Sequence, residues 1–220
     1  MKHLAILRGV VPRDTYAPLF NEVFPSLVHP DRRTIVDTFD GGAGGAITGR
    51  VIQGTALAWA GSNILVMPGG YVVGNNSATS FLPSRAVFDT GEDAADGEWG
   101  CTVEHVAGGS GESLGVIFRD SAESAGTGFI ARISTQSQLV ALSRRNGATY
   151  TTVATAPLPT NPGDVHSLRA VADGENIDVY VDGEHRISHV TAELGEGNTQ
   201  VGIFCMARYS RVLEFMGGTI

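Results

Sequence analysis

Cysteine is scarce in this sequence, which contains only Cys101 and Cys205 in 220 residues. Both cysteines fall in phase with apolar neighbours, Val103 for the first and Val201 and Ile203 for the second. We therefore expect two buried free thiols, with a disulfide between them as the alternative. The sequence has no Cys-x-x-Cys pair and no cluster of His and Cys, which excludes the common spacings of structural zinc sites.

Long apolar runs and a positive charge balance are missing as well. No stretch approaches the roughly 18 apolar residues of a membrane span, and Arg8 and Arg13 interrupt the short apolar run that starts at Leu4. We expect no signal peptide, no membrane insertion and synthesis in a host cytoplasm. The net charge of −8 argues against a nucleic-acid partner, because binding phosphates requires a positive surface.

Nucleophile and metal motifs are sparse. Ser110 lies in the string GGSGE, which lacks the second glycine of a nucleophile elbow. The glycine-rich residues 41–49 match neither of the two common phosphate-binding spacings, so we interpret them as a turn. His185 and His189 are four residues apart on one predicted strand, a spacing too wide to chelate a single zinc ion.

The carboxylates do not form the pair that a glycosidase needs. Asp178 and Asp182 would lie roughly 13 Å apart on one strand, whereas the catalytic pair of a glycosidase spans about 5–9.5 Å. Asp96 and Glu98 would fit that range only in an extended segment, and the glycine between them together with the acidic approach favours a loop. We therefore predict that the chain is not an enzyme, with a glycan-cleaving activity as the less favoured alternative.

Short strands bounded by Gly, Asn and Asp follow one another from residue 33 onward, and no helical period of ten residues or more occurs after residue 40. This pattern predicts an all-β, two-sheet antiparallel sandwich. The predicted strands cover residues 35–39, 63–67, 71–73, 85–88, 100–106, 113–119, 128–134, 139–144, 149–154, 167–172, 177–181, 185–189, 200–206 and 212–216.

Three hairpins and the inward-facing residues of several strands can be predicted from this pattern. Asn146-Gly147 and Asp182-Gly183 predict tight turns, while Asp173-Gly174 predicts a slightly longer one, because these pairs tolerate positive φ angles. Alternation along the last meander puts Asp178 and Tyr180 on the solvated face. The predicted core residues are Ile177, Val179, Val181, Val201, Ile203 and Phe215.

Several strings, in their order, carry a resemblance to a known family. HSLRAVADGENIDVYVDGEHRIS and TQVGIFCMARYSRVLEF resemble the closing strands of concanavalin A-like jelly rolls, especially laminin-G-like domains. The segment from GESLGVIFRD to TYTTVA is similar to the middle strands of that family. VDTFDGGAGGAITGR, LAW and PGGYVV resemble the opening of such jelly rolls in bacteriophage minor tail proteins. The resemblance covers residues 35 to 217.

The resemblance implies a jelly roll and a function without catalysis. It predicts a structural component of a bacteriophage virion, a minor tail protein located in the viral tail, which contributes to attachment to a host-surface glycan. The alternatives are a carbohydrate-binding module and a capsid decoration protein.

A glycan site would need aromatic rings that stack on a sugar and polar groups that fix its hydroxyls. We predict Arg169, Asp178 and Tyr180 as ligand-binding residues because they share the solvated face of the last meander, with Arg169 placed beside Tyr180 across the hairpin. An ordinary cross-strand aromatic pair is the alternative for Tyr180. The other aromatic candidates are Trp59, Trp99, Tyr71, Tyr150 and Tyr209, of which the two tryptophans are expected in the core.

The acidic residues 89–100 are the one segment with hard oxygen ligands for calcium. Its weak calcium candidates are Asp89, Asp93 and Asp96, accompanied by Glu92 and Glu98. A solvated loop between strands would have the same composition, and no other cofactor is expected.

Residues 1–36 differ in composition from the jelly-roll segment, residues 37–220. Prolines recur among apolar residues, so the segment is predicted to be an extended arm that docks on a surface. The predicted assembly residues are Tyr16, Leu19, Phe20 and Phe24. The predicted partners of the arm are other tail proteins or further copies of this chain.

Overall fold

The computed structural model describes residues 35–41, 44–53, 55–61, 63–74, 84–90, 95–106, 112–121, 126–193, 195, 197–206 and 209–219. This part of the chain contains sixteen β-strands and no helix, and all its strand pairings are antiparallel. None of its elements is a helix able to cross a membrane. The predicted two-sheet antiparallel jelly-roll sandwich is confirmed.

The larger sheet contains nine strands of the described residues, in the order β14-β13-β12-β7-β16-β5-β4-β2, with β1 also paired to β16. These strands are β1 (Ile35–Asp37), β2 (Gly45–Ala46), β4 (Ile64–Met67), β5 (Tyr71–Gly74), β7 (Gly97–Glu104), β12 (Val165–Asp173), β13 (Asn176–Val181), β14 (Glu184–Val190) and β16 (Arg211–Thr219).

The smaller sheet contains seven strands of the described residues, in the order β11-β10-β9-β8-β15-β6-β3. These strands are β3 (Ala60–Gly61), β6 (Ser84–Asp89), β8 (Ser113–Asp120), β9 (Thr127–Ser134), β10 (Leu139–Asn146), β11 (Thr149–Pro157) and β15 (Gln200–Met206).

The core lies between the sheets because alternate residues of facing strands point inward. All six predicted core residues are fully buried, which confirms the strand phase. Trp59 packs edge-on against Phe88 of the smaller sheet and Phe215 of the larger sheet, with ring centroids 5.1 and 5.4 Å apart. Its indole N–H donates to Asp37 Oδ2 at 2.8 Å, so the buried ring keeps its polar group satisfied.

Both cysteines are buried and free, as predicted, with Cys101 on β7 and Cys205 on β15. Burial raises the pKa of the Cys101 thiol, and the neighbouring Cys205 acts in the same direction. Because the thiolate is the reactive form, these cysteines behave as small apolar core residues.

The three predicted hairpins are present, and each turn contains a glycine with a positive φ angle. Asp182 and Gly183 both have positive φ, 53° and 78°, as a type I′ turn requires. Gly147 and Gly174 stand at the first central position of their turns with φ of 59° and 53°. The turn after Asp173 has two central residues, since Asp173 pairs with Asn176, so the longer turn expected there was wrong.

Some strand boundaries also differ from the sequence prediction. The expected loop around Glu98 was wrong, because β7 begins at Gly97 and pairs with β12 and β16. The two-residue strands β2 and β3 were not predicted, since two residues give no readable alternation. β1 begins at Ile35, as predicted, but ends at Asp37, two residues before the predicted end.

Candidate functional site

The predicted ligand-binding residues meet on the outer face of the larger sheet. Arg169 on β12 is the direct cross-strand partner of Tyr180 on β13, and Tyr180 is in turn the partner of His185 on β14. We call the group of Arg169, Asp178, Tyr180, His185 and Ser188 the Tyr180 platform. Its position follows from the alternation of β12 and β13, whose other residues face the core.

A register shift in the last hairpin completes the platform. Val179 pairs with Ile187 while Tyr180 pairs with His185, so Arg186 is an extra residue on β14. This bulge puts His185 on the outer face although the buried Ile187 is only two residues away. His189 points the other way, towards Phe129, at a ring distance of 6.5 Å. The two histidines therefore face opposite sides of β14.

Arg169 and Tyr180 form the centre of the platform. The guanidinium carbon lies 3.9 Å from the centre of the tyrosine ring, in a cation–π contact. Arg169 Nη1 donates to Glu98 Oε1 at 2.8 Å, and this carboxylate is only 1% exposed. The ion pair with Glu98 therefore helps to hold the guanidinium against the tyrosine ring. Its Nε is buried without a hydrogen-bond partner in the described part of the chain.

Asp178, His185 and Ser188 form a compact triangle beside the ring. Asp178 Oδ1 accepts a hydrogen bond from Ser188 Oγ and lies 3.0 Å from His185 Nε2. Ser188 Oγ is also 3.1 Å from that same nitrogen. A catalytic triad needs the carboxylate and the nucleophile on different ring nitrogens of the histidine. Because both meet Nε2 here, the triangle is suited to fixing side chains and not to proton relay.

The platform leaves polar atoms available on its solvated side. Asp178 Oδ2, the Tyr180 hydroxyl and Arg169 Nη2 have no hydrogen-bond partner among the described residues. The side chains of His185 and Asp178 are 48% and 35% exposed. The His185 ring meets the tyrosine edge-on, with centroids 5.2 Å apart. Acceptors, a donor and an aromatic ring side by side are the groups that bind a hydroxyl-rich ligand.

A second chain of hydrogen bonds has the order of a triad, but its hydroxyl end is buried. Asp182 Oδ2 lies 2.8 Å from His166 Nδ1, and His166 Nε2 lies 3.1 Å from Thr160 Oγ1. Thr160 is buried and also approaches His105 Nδ1 at 3.5 Å. A nucleophile must reach a substrate, so these residues tie the end of the last hairpin to the segment before β12.

The remaining carboxylate candidates are occupied by arginines. Asp96 Oδ1 accepts from Arg119 Nη2 at 2.9 Å and from the Gly174 amide at 3.0 Å. Glu98 is held by Arg169. Each member of the pair Asp96 and Glu98 is thus neutralised by its own guanidinium. This arrangement does not leave one carboxyl as a nucleophile and the other as an acid.

The calcium candidates do not form a metal site within the described residues. Asp93 lies outside them, and Asp96 is engaged as above. In this part of the chain no group of three or more His, Cys, Asp or Glu side chains could hold a metal ion. The predicted assembly residues Tyr16, Leu19, Phe20 and Phe24 also lie outside the described residues, so the docking arm stays a prediction.

The other aromatic candidates lie away from the platform. Trp59 and Trp99 are buried, as expected. Tyr71 lies under Arg211 on the same sheet, with 4.5 Å from the guanidinium carbon to the ring centre. Tyr150 packs against Phe204 on the other sheet, and Tyr209 is exposed.

No protein-family model matches the chain, and no curated protein is similar to it in sequence. Among solved structures, the carbohydrate-binding module CBM66 from Bacillus subtilis has a TM-score of 0.56 and 18% identity, over 77% of this chain and 92% of that one. The carbohydrate recognition domain of Emp47p has a TM-score of 0.58 and 10% identity, over 84% and 94%. A chain from work on endo-acting O-glycanases of the human gut microbiota has a TM-score of 0.54 and 11% identity, over 84% and 98%.

These likenesses show the fold. The chain is a jelly roll of the architecture found in carbohydrate-binding modules and lectin-type recognition domains, which agrees with the concanavalin A-like resemblance of its sequence. At such low identity they leave the ligand to be argued from this chain's own residues.

Proposed function

We propose that this chain is a non-enzymatic carbohydrate-binding domain and that the Tyr180 platform is its glycan site. The observation that carries the proposal is the Arg169–Tyr180 stack, with the solvated Asp178 carboxylate next to it on one sheet face. A sugar ring offers apolar C–H groups and a rim of hydroxyls, which an aromatic side chain and paired donors and acceptors complement.

The geometry of the platform supports binding more than catalysis. Asp178 is fixed by two neighbours on one oxygen, which leaves the other oxygen to accept from a ligand hydroxyl. Arg169 is fixed by Glu98, so binding would cost little side-chain entropy. The carboxyls of Asp96 and Glu98 are each bonded to an arginine, and the triangle of Asp178, His185 and Ser188 lacks the geometry of a proton relay.

The setting that we propose for this domain is the tail of a bacteriophage, where it would contribute to attachment to a glycan of the host surface. The support is the ordered resemblance of residues 35–217 to jelly rolls of minor tail proteins, together with the apolar, proline-spaced residues 1–36. Detection of the chain in purified virions, and the end of the particle at which antibodies bind, would test this setting independently of any glycan.

Glycan binding is tested by an array of neutral and acidic glycans, followed by titration of the best-bound glycan. Tyr180→Ala should weaken binding about tenfold, because an aromatic contact contributes about 0.5–1.5 kcal/mol beyond its buried area and 1.4 kcal/mol corresponds to a factor of ten. The matched control is Tyr71→Ala, which removes another arginine-stacked tyrosine from the same sheet.

The two variants separate the possible results. Tyr71→Ala should bind like the wild type. Equal loss in both variants would mean that the stacked tyrosines stabilise the sheet and do not mark a site. Unchanged binding by Tyr180→Ala would place the glycan elsewhere, and product release from the bound glycan would overturn the non-enzymatic assignment.

A further inference from the structure

Arg132 occupies an unusual position on the outer face of the smaller sheet. It lies on β9, two strands from the edge strand β11 and away from the Tyr180 platform of the other sheet. Its cross-strand partners are Gly115 on β8 and Ala141 on β10. The two residues directly opposite Arg132 on the neighbouring strands therefore carry no side chain larger than a methyl group.

The hydrogen-bond partners of this guanidinium are all hydroxyl groups. Nη1 donates to Ser113 Oγ at 2.9 Å, Nε donates to Ser143 Oγ at 3.4 Å, and Nη2 donates to Thr152 Oγ1 at 3.4 Å. Two of these three distances are at the long end of the hydrogen-bond range. One N–H on each terminal nitrogen has no partner among the described residues.

Arg132 also has no carboxylate partner in the described part of the chain. The buried carboxylate that reaches this face, Asp120, is bonded to Arg85 and Arg145. Other arginines of the described residues with a similar degree of burial, such as Arg50 and Arg169, each have an acidic partner. Burial lowers the pKa of Arg132, and no neighbouring charge opposes that effect.

A half-buried cation among neutral hydroxyls is unfavourable in the free protein, because water is partly removed and no opposite charge replaces it. We propose that Arg132 is the centre of a binding site for an oxoanion, a carboxylate or sulfate group carried by a ligand. A guanidinium with one N–H available on each terminal nitrogen matches the two oxygens of such a group.

The surroundings of Arg132 are consistent with an anion and hold the site open. Thr152 is exposed on the edge strand, and its Oγ1 lies 3.3 Å from Ser143 Oγ. One of these two hydroxyls therefore donates to the other, and the remaining hydroxyl proton is available to a ligand beside the guanidinium. A Cβ at Gly115 would lie 1.9 Å from the Ala131 carbonyl oxygen, so backbone crowding keeps that position glycine. The gap next to Arg132 is therefore built into the backbone of the sheet.

The test uses the full chain and three matched monosaccharide probes, methyl glucuronoside, glucose 6-sulfate and methyl glucoside. The readout is the NMR shift of the Arg132 Nε–H on titration. We expect both anionic probes to shift this resonance with saturation, and the neutral glucoside to leave it unchanged. The anion that saturates at the lower concentration identifies whether carboxylate or sulfate is the natural group.

Two variants control the assignment. R132Q removes the charge and should weaken anion binding at least tenfold, measured by the anion-induced rise in Tm, which requires binding to the folded state. R144Q removes an arginine from the adjacent strand β10, where Arg144 is already paired with Glu193, and should bind the anions like the wild type.

Stability gives a second readout that does not depend on the ligand. If the function of Arg132 is to bind an anion, R132M should have the same Tm as the free wild-type protein or a higher one. The reason is that an unneutralised cation is replaced by an apolar side chain of similar length. A lowered Tm for R132M would identify a structural arginine and overturn the proposal. An unshifted Arg132 resonance in the wild type, or equal loss in R132Q and R144Q, would do the same.

Discussion

The guanidinium carbon of Arg169 lies 3.9 Å from the ring centre of Tyr180, its direct cross-strand partner. Charged and aromatic side chains that meet in this way stabilise a sheet as well as forming a surface. The strength of this pair can therefore be measured without knowing any ligand.

A double-mutant cycle with Arg169→Met and Tyr180→Leu should give a coupling energy of about 0.5–2 kcal/mol in urea unfolding. The control cycle combines Tyr180→Leu with Arg211→Met, whose arginine stacks on Tyr71 instead. It should give no coupling beyond about 0.5 kcal/mol, the usual limit of additivity for distant sites. Equal coupling in both cycles would contradict a specific Arg169–Tyr180 contact.

Truncation in the core should distinguish the two faces of the strands. Ile203→Ala should destabilise the protein by about 2–5 kcal/mol, and Val179→Ala should also lower its stability, because both side chains are fully buried between the sheets. Val190→Ala is the control, since Val190 is 66% exposed at the end of β14. Chemical denaturation measures all three, and a core variant as mild as the control would mean that the strand phase is wrong.

The thiols should be inert while the protein is folded. Burial raises the pKa of Cys101, so raising the pH from 7 to 9 should not speed its reaction with a thiol reagent. The thiol of the unfolded chain ionises near its normal pKa of about 8.5. The contribution of the buried, protonated Cys101 to the free energy of unfolding is therefore fully present below that pH and falls as the pH rises above it. Mass spectrometry after timed labelling checks this, and rapid labelling at neutral pH would disprove it.

Deletion of residues 1–33 tests the predicted docking arm. The jelly roll has its own core between its two sheets, so the truncated chain should remain folded, soluble and monomeric but lose the ability to join an assembly. Circular dichroism and size-exclusion chromatography measure the two properties separately. Unfolding would show that the segment belongs to its own domain, and normal assembly would place the contacts on the jelly roll.

Much of this fold could be predicted because its signals are local. The alternation of Ile177, Val179 and Val181 has the two-residue period of a strand, and the Asp182-Gly183 pair fits the backbone of a tight hairpin. The placement of Arg169 beside Tyr180 followed from that phase and from the hairpin expected at Asp173-Gly174, which joins β12 to β13 although its turn is shorter than predicted. Local pattern therefore placed three of the five platform residues.

The rest depends on register, which the sequence does not reveal. His185 joins the platform only because of the extra residue Arg186, and alternation from Ile187 alone would have turned it inward. The hydroxyl partners of Arg132 come from three different strands, and Thr152 comes from an edge strand with its own register shift. Such groupings depend on strand register and on bulges, which local alternation does not fix even between neighbouring strands.

The burial of the two tryptophans determines what the intrinsic fluorescence of this protein reports. Trp59 and Trp99 are the only tryptophans in the chain, and both are shielded from water inside the sandwich. Their emission should therefore be that of indoles in an apolar medium and should shift to longer wavelength when the sandwich opens. A ligand on either outer sheet face would leave that spectrum unchanged, so intrinsic fluorescence reports folding without interference from binding.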